Sequence, residues 1–442
     1  MWGIKFSNYR QFLTKNERNK VYLRKNSSEG KQIADSKLKT KKLLAKNGVG
    51  VPELIKIFRK AEDVDNYVWE KLEGNFVIKP VTGYGGEGII VVRRRGKWAG
   101  EWVLMNGEVV TSQDLKVHCK EILGGKYSLH GMADRVLIEE RIKIHPLFLA
   151  LTKAGTPDIR VIVYNKVPVM AMFRIPTEKS GGKANLQQGA IGLGIDIATG
   201  ITTFGVEGKG VELKRIYDHN KKKRIKVNGI KIPFWKEILE TSIKCQEAIP
   251  SLGFIGVDVV LDKEKGPMVL EVNARPGLSI QICNKAGLKL RMDKVEGVEV
   301  RSVNHGITLA RYMFGESFFE KVEEKEKTKM VGPLETIRIK LGKGKKNYKE
   351  VLAKVDTGAF RSSIDREMAE SLGLLREDNV LYYRHYRSSL GKNKDRPVIE
   401  LHYWLNGKKI STAVSVADRH KLRTKFLIGR KDLDGFLIKA KK

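Results

Sequence analysis

Two apolar β-like runs carry polar side chains where a strand would normally bury apolar ones. Asp258 lies within FIGVDVVLD, and Glu271 and Asn273 lie within LEVNARPG. Because Glu271 and Asn273 alternate with Val272, both side chains point to the same strand face. A buried carboxylate is costly unless it is paired or bound to metal. Oxygen ligands of this kind suit Mg²⁺ beside phosphates, and salt-bridged core carboxylates are the structural alternative.

A glycine-rich segment follows a second apolar run. NFVIKP is predicted to be a buried strand that ends near Lys79, and IIVV is predicted to be the returning strand of a hairpin. The loop between them contains four glycines that would let backbone N–H groups approach phosphate oxygens, namely Gly83, Gly85, Gly86 and Gly88. On its own this pattern is more often a simple turn.

The remaining periodicity predicts an α/β fold with antiparallel hairpins, followed by a small all-β domain. SKLKTKKLLAKNG reads as an amphipathic helix that stops at Gly48, and IPFWKEILETSIKCQEAIPSLG reads as another helix. With 442 residues, two or three domains are expected. We predict a basic N-terminal arm at 1–29, an α/β domain at 30–318, a charged linker at 319–332 and a β domain at 333–442.

Charge and cysteine content limit the possible binding partners and the cellular location. The formal net charge of +33 would attract nucleic acid, anionic membrane surfaces or acidic polypeptides. However, the basic residues are scattered, and no RNA-binding or helix-turn-helix signature accompanies them. Three unpaired, widely spaced cysteines, together with no signal-peptide or spanning segment, predict a soluble cytoplasmic protein.

Several segments together resemble the ATP-grasp enzymes, and within them the RimK-like alpha-L-glutamate ligase-related proteins. The segments that carry the resemblance are DSKLKTKKLLAKNGVGVPE, FVIKPVTGYGGEGIIVV, VLIEERI, PDIRVIVYNKVPVMAMFRIPT, GGKANLQQGAIGLGIDIATG, GFIGVDVVLD and VLEVNARPGLSIQICNKAGL. This resemblance implies an ATP-grasp domain that uses ATP with Mg²⁺ or Mn²⁺.

The resemblance also implies roles for individual residues. Lys37 and Lys79 would contact phosphates, and the loop from Gly83 to Gly88 would close over the nucleotide. Three residues would form the hinge that contacts adenine and ribose, namely Glu139, Glu140 and Ile142. The metal ligands would be Asp258, Glu271 and Asn273. The polar wall around the transferred phosphate and the substrate carboxylate would comprise Arg160, Arg174, Asn185 and Arg275, since guanidinium geometry suits oxyanions.

The implied reaction phosphorylates a carboxylate and then forms an amide by attack of an amine on the acyl phosphate. An amino acid or an acidic peptide is the expected substrate. The chain departs from the family pattern in the N-terminal part, which often helps to bind the acceptor. Family members usually carry a full α/β domain before the first lysine, whereas only about thirty-five residues precede Lys37.

The β domain contains Asp356, Thr357 and Gly358 after VLAKV, and FLIGR follows near its end. A lone DTG is commonly just an Asp-initiated turn. In this context, residues 333–438 resemble retropepsin-like aspartic peptidases, closest to the RimB-like group labelled ATP-dependent zinc proteases. With one catalytic-type aspartate per chain, the resemblance implies a homodimer. No HExxH occurs, and the histidines are too dispersed to name a zinc site.

Two other classes of function fit the sequence. The protein could be a nucleotide-gated binding protein whose β domain docks an acidic partner or dimerises without proteolysis. It could instead be a basic RNA-associated protein, which would bind RNA with a steep salt dependence.

Overall fold

The computed structural model describes residues 11–82, 86–128, 131–152, 154–209, 212–216, 218–220, 225–226, 228–315, 329–342, 347–387 and 393–439. The chain divides into two compact units, Met1–Glu296 and Gly297–Lys442. The predicted linker at 319–332 lies largely outside the described residues, and the predicted domain boundaries stay predictions. Within the part of the chain described, no helix combines the length and apolar character that crossing a membrane requires.

The first sheet of the first unit has six antiparallel strands in the order β1-β6-β2-β3-β4-β5. Its strands are β1 (Leu54–Phe58), β2 (Phe76–Pro80), β3 (Ile90–Arg95), β4 (Glu101–Leu104), β5 (Val109–Thr111) and β6 (Val136–Glu140). Two helices, α4 (Ala61–Asp65) and α5 (Ser112–Leu123), pack with it around a core that includes Trp69 and Trp102. The predicted hairpin around the glycine loop is therefore confirmed as β2 and β3.

The second sheet has seven antiparallel strands in the order β11-β10-β9-β8-β7-β14-β15. Its strands are β7 (Asp158–Tyr164), β8 (Val167–Ile175), β9 (Gln188–Ile195), β10 (Thr202–Lys209), β11 (Glu212–Ile216), β14 (Phe254–Asp262) and β15 (Gly266–Asn273). A separate two-stranded ribbon joins β12 (Asp218–Asn220) to β13 (Ile225–Lys226).

Helices flank the second sheet. They are α1 (Lys15–Lys20), α2 (Ser28–Ala34), α3 (Lys37–Lys46), α6 (Pro146–Leu149), α7 (Trp235–Ala248), α8 (Ile280–Asn284) and α9 (Leu288–Val295). Both predicted helices are confirmed as α3 and α7. Helix α3 begins after the N-cap Ser36, whose side chain accepts from the Lys39 amide, and the chain turns at Gly48, where φ is +69°. Helix α3 also contacts β15.

The second unit contains a six-stranded closed barrel. Its ring order is β17-β18-β23-β19-β22-β21, and β21 pairs back onto β17. The strands are β16 (Lys329–Val331), β17 (Leu334–Lys340), β18 (Tyr348–Asp356), β19 (Ser363–Asp365), β20 (Val380–Arg387), β21 (Asn393–Leu405), β22 (Lys408–Ala417), β23 (Phe426–Gly429) and β24 (Phe436–Ile438). Helices α10 (Val303–Phe314) and α11 (Arg366–Ser371) also belong to this unit. The predicted small β domain is thus a barrel, with β20 attached to β21 and β16 paired to β24.

Candidate functional site

The three predicted metal ligands lie on one face of the second sheet. In the antiparallel pairing of β14 with β15, Asp258 is directly opposite Glu271, and Gly256 is directly opposite Asn273. Residues directly opposite each other project from the same face, as do residues two apart on one strand. Asn273 also donates from Nδ2 to Asp258 Oδ2 at 3.3 Å. The alternation read from the sequence therefore brings these side chains together, and their metal role stays a prediction.

Two predicted arginines hold Asp258. Arg160 donates from Nε and from Nη2 to the two carboxylate oxygens, each at 2.6 Å, and Arg174 Nη2 lies 2.9 Å from Oδ2. Burial alone would raise the pKa of Asp258, but the two guanidinium groups outweigh burial and hold the pKa at about 2. The carboxylate is therefore fixed and anionic.

Asp158 completes this ion-pair network. Its two oxygens accept from Arg174 at 2.5 and 2.7 Å, across the pairing of β7 with β8. Burial raises the pKa of Asp158 to about 6 against the opposing effect of Arg174, and the charge of Asp258 adds to the rise. Two arginines and two aspartates thus form one ion-pair network, in which Asp158, Arg174 and Asp258 are buried. Sequence reasoning named Asp258 and both arginines but missed Asp158, which stands two residues before Arg160 and on the same strand face.

Lys37 and Glu271 are brought close by the contact of α3 with β15. Burial lowers the pKa of Lys37, while the negative charge of Glu271 raises it in part. Lys79, Asp134 and Glu139 also act on the Lys37 ammonium. The ammonium at the start of α3 is therefore close to the carboxylate of Glu271.

Lys79 and Glu139 form a buried ion pair in the first sheet. Each of them is less than a tenth exposed, and Glu139 Oε1 receives the Lys79 ammonium. The other carboxylate oxygen, Oε2, receives Lys41, which also donates to the Pro52 carbonyl at 3.1 Å. Lys41 was not among the predicted site residues. Its helix is amphipathic and rich in lysine, and the pattern KLKTKKLL does not mark position 41 as a buried one.

The glycine loop is described in part. Gly83 and Gly85 lie outside the described residues. Gly86 and Gly88 have φ of +81° and +71°, and a Cβ at Gly88 would come within 2.7 Å of the Tyr127 ring. The Gly88 carbonyl accepts from His118 Nε2 at 3.0 Å, and Glu87 pairs with Lys183. This half of the loop is therefore anchored on both sides.

The other predicted residues of the first unit make separate contacts. Glu140 pairs with Lys265 at 2.5 Å, and Ile142 follows the end of β6. Asn185 is exposed, and its Oδ1 accepts from the Gln187 amide at 3.0 Å. Arg275 is largely exposed and pairs with Asp35 at 2.9 Å. Their predicted contacts with adenine, ribose or substrate stay predictions.

Asp356 lies in the second unit, at the end of β18. Its Oδ1 accepts from the Gly358 amide at 2.9 Å and from the Ala359 amide at 3.2 Å, and Thr357 is exposed. Asp356 is paired in register with Gly429 of β23. The DTG segment therefore forms an Asp-initiated turn at the end of a barrel strand.

The donor set of the first unit fits Mg²⁺ by chemistry. Across the residues described, no three His, Cys, Asp or Glu side chains converge on a metal position. The predicted set comprises two carboxylates and one amide, and these hard oxygens are the ligands that Mg²⁺ prefers. Since Asn273 directs Nδ2 to Asp258, its Oδ1 is directed away from that carboxylate. Asp258 would have to share its oxygens with the arginines.

The comparison with known families agrees with this architecture. The family described as sugar-transfer associated ATP-grasp matches residues 16–297, which defines the first unit as an ATP-grasp domain. The match covers more than half of the sequence, and the chain belongs to the sugar-transfer associated ATP-grasp family. No curated protein matches the chain.

Solved structures that match include ligases of this fold. D-alanine–D-alanine ligase from Bacillus anthracis, complexed with ATP, is 16% identical over 61% of this chain and 67% of its own, with a TM-score of 0.33. VanG D-Ala:D-Ser ligase from Enterococcus faecalis is 15% identical over 62% and 63%, with a TM-score of 0.36. A Legionella pneumophila protein of unknown function is 16% identical over 26% and 94%, with a TM-score of 0.17. These likenesses assign no substrate and no residue role to the chain.

Proposed function

We propose that the first unit is an ATP- and Mg²⁺-dependent carboxylate–amine ligase that acts through an acyl phosphate. The proposal rests on the shared strand face of Asp258, Glu271 and Asn273. On this face, Arg160 and Arg174 form ion pairs with Asp258. A sheet face built only for packing would not need the buried charges of Asp258 and Arg174. Charged groups with shifted pKa values, as at Asp258, cluster at functional sites.

The chain's own residues supply positioning and charge. Arg160 and Arg174 keep Asp258 anionic, so that this carboxylate and Glu271 would hold Mg²⁺ together with the Asn273 oxygen. When bound, Mg²⁺ would neutralise charge on the phosphates of ATP. Lys37, beside Glu271, would place a further positive charge near the transferred phosphate.

The glycine loop would exclude water from the reacting atoms. Glu87 and Lys183 connect the loop to the segment that precedes β9, and His118 holds the Gly88 carbonyl. Holding the acyl donor and the amine together in a site without water favours amide formation over hydrolysis, because it replaces two encounters in solution by one bound arrangement.

A glutamate-type or peptide substrate is part of this proposal, as the RimK-like resemblance implies. The family description adds sugar transfer as a setting, so sugar acids and amino sugars are also candidate substrates. The test is ADP release from purified protein with Mg-ATP and a panel of carboxylates and amines, each supplied alone and in pairs. The ligase should release ADP fastest when a carboxylate and an amine are both present.

The same assay distinguishes the ligase from the main alternative function. ADP release that never depends on an added carboxylate or amine would contradict the ligase and favour the nucleotide-gated binding protein. In that reading the β barrel docks or dimerises without proteolysis.

For the second unit, we propose a retropepsin-like aspartic peptidase that trims the product of the first. A closed six-stranded barrel with Asp356 in a tight turn at a strand end supports the proposal. A homodimer would supply Asp356 from each subunit, since such peptidases need two carboxylates that share a proton. A poly-glutamate peptide without ATP should be shortened by the wild type and left intact by Asp356→Asn. Intact peptide in both, at every pH between about 4 and 8, would remove this activity.

A further inference from the structure

The Glu139 carboxylate lies between two buried lysines. Lys41, Lys79 and Glu139 are 5%, 6% and 3% exposed. Lys41 lies on α3, Lys79 on β2 and Glu139 on β6, so three separate elements must meet to form the group. Each lysine takes a different oxygen of the carboxylate. The arrangement holds one more positive than negative charge away from water.

The stability of the fold does not explain Lys41. The charged groups that act on its ammonium are Lys79 from β2 and Glu139 and Glu140 from β6. Burial, with the positive charge of Lys79, lowers the pKa of Lys41 to about 8, although both glutamates act to raise it. Protonated Lys41 is therefore less favourable here than in water. An apolar residue of similar size would fill the same space without this cost.

The contact of both lysines with Glu139 suggests a role for Lys41. Lys79 is proposed to contact a phosphate of ATP, yet in this structure its ammonium is held by Glu139. When Lys79 turns to a phosphate, Glu139 would become a buried carboxylate without a counter-charge if Lys41 were absent. Such an unpaired charge is strongly unfavourable.

We propose that Lys41 is a positioning residue for nucleotide binding, which holds Glu139 in place at the hinge while Lys79 leaves it for a phosphate of ATP. This inference rests on the proposed nucleotide site. It assigns Lys41 no contact with ATP. Its effect passes through Glu139, which stays fixed, and through Lys79, which becomes available.

The inference predicts a particular pH dependence. When Lys41 loses its proton, Lys79 is the sole cation left on Glu139, and the ion pair then competes more strongly with the phosphate. Nucleotide affinity should therefore be full below the pKa of Lys41 and should fall as the pH rises through it. Arginine at position 41 would stay protonated and would remove this fall.

The test is equilibrium binding of Mg-ADP and of a non-hydrolysable ATP analogue to the full chain between about pH 6.5 and 9.5. We expect Lys41→Met to weaken binding about tenfold or more at neutral pH and to lack the alkaline fall. Lys41→Arg should bind like the wild type at neutral pH and also lack the fall. Lys42→Met, at the exposed next position of α3, should match the wild type throughout.

If nucleotide affinity still falls at alkaline pH in Lys41→Arg, the inference is overturned, because another group must then cause the fall. Wild-type affinity in Lys41→Met would overturn it as well. Because Lys41→Arg keeps the charge, it decides the question even if Lys41→Met does not fold. A wild-type chain that binds no nucleotide would contradict the proposed function itself, which separates the two failures.

Discussion

Glu139 and Glu140 are neighbours in sequence and lie in opposite environments. Glu139 is 3% exposed and its carboxylate is held by two buried lysines, whereas Glu140 pairs at the surface with Lys265. The alternation of a β-strand explains the difference, since successive side chains point to opposite faces. The two carboxylates should therefore contribute very different amounts to the free energy of unfolding.

Replacing these glutamates one at a time tests that difference. Glu139→Gln would leave Lys41 and Lys79 without an anion, so we expect the free energy of unfolding to fall by about 3–5 kcal/mol. Glu140→Gln removes an exposed ion pair and should cost at most about 1 kcal/mol. Urea unfolding of both variants measures these losses in the free energy of unfolding. Equal losses would show that the pairing of Glu139 with Lys41 and Lys79 contributes no more to stability than the Glu140–Lys265 pair.

Gly88→Ala should disturb the glycine loop. The residue has φ of +71°, and its added Cβ would come within 2.7 Å of Tyr127, whose ring lies beside His118. We expect a loss of about 1–3 kcal/mol in stability and weaker binding of Mg-ADP. Gly107→Ala is the matched control, because its φ is +91° and nothing lies within 4 Å of the added Cβ. If both variants bind Mg-ADP equally, the contact with Tyr127 does not shape the loop.

Asp432 should give the barrel a pH-dependent stability. Burial raises the pKa of this carboxyl above its ordinary value of 3.8, although Ser362 and Tyr403 donate hydrogen bonds that lower it in part. The folded state then binds more protons than the unfolded state between the ordinary and the raised pKa. The free energy of unfolding should therefore decrease as the pH rises through that window.

The measurement is hydrogen-exchange protection of the β23 amides, corrected for the intrinsic effect of pH. Asp432→Asn should lack the decrease, because its side chain does not titrate. Asp434→Asn, two residues away, should keep it. A wild-type protein whose protection rises with pH across this window would refute the prediction.

Much of the site could be predicted from the sequence because it depends on local periodicity. Alternation along LEVNARPG placed Glu271 and Asn273 on one face, and the antiparallel hairpin then set Asp258 opposite Glu271. The barrel strands were likewise visible as short apolar runs separated by turn residues. The ATP-grasp resemblance is confirmed by the family match, while its RimK-like and peptidase refinements stay proposals.

The rest depends on contacts between distant segments, which periodicity does not encode. Lys41 stands in KLKTKKLL, where an exposed position and a buried one look alike until the helix docks beside β6. Asp158 gave no signal of its own, because its role comes from the register that sets it opposite Arg174. In both cases the missing information was the partner of a charged residue, which is set by tertiary structure.

We propose that the shared face of β14 and β15 supports ATP-dependent amide formation. The most direct measurement is amine-dependent ADP release by Glu271→Gln, compared with Glu264→Gln at the exposed tip of the same hairpin. We expect a loss of about 100-fold or more in Glu271→Gln with the fold retained, and wild-type activity in Glu264→Gln. Wild-type turnover in Glu271→Gln would rule out this role for the shared face.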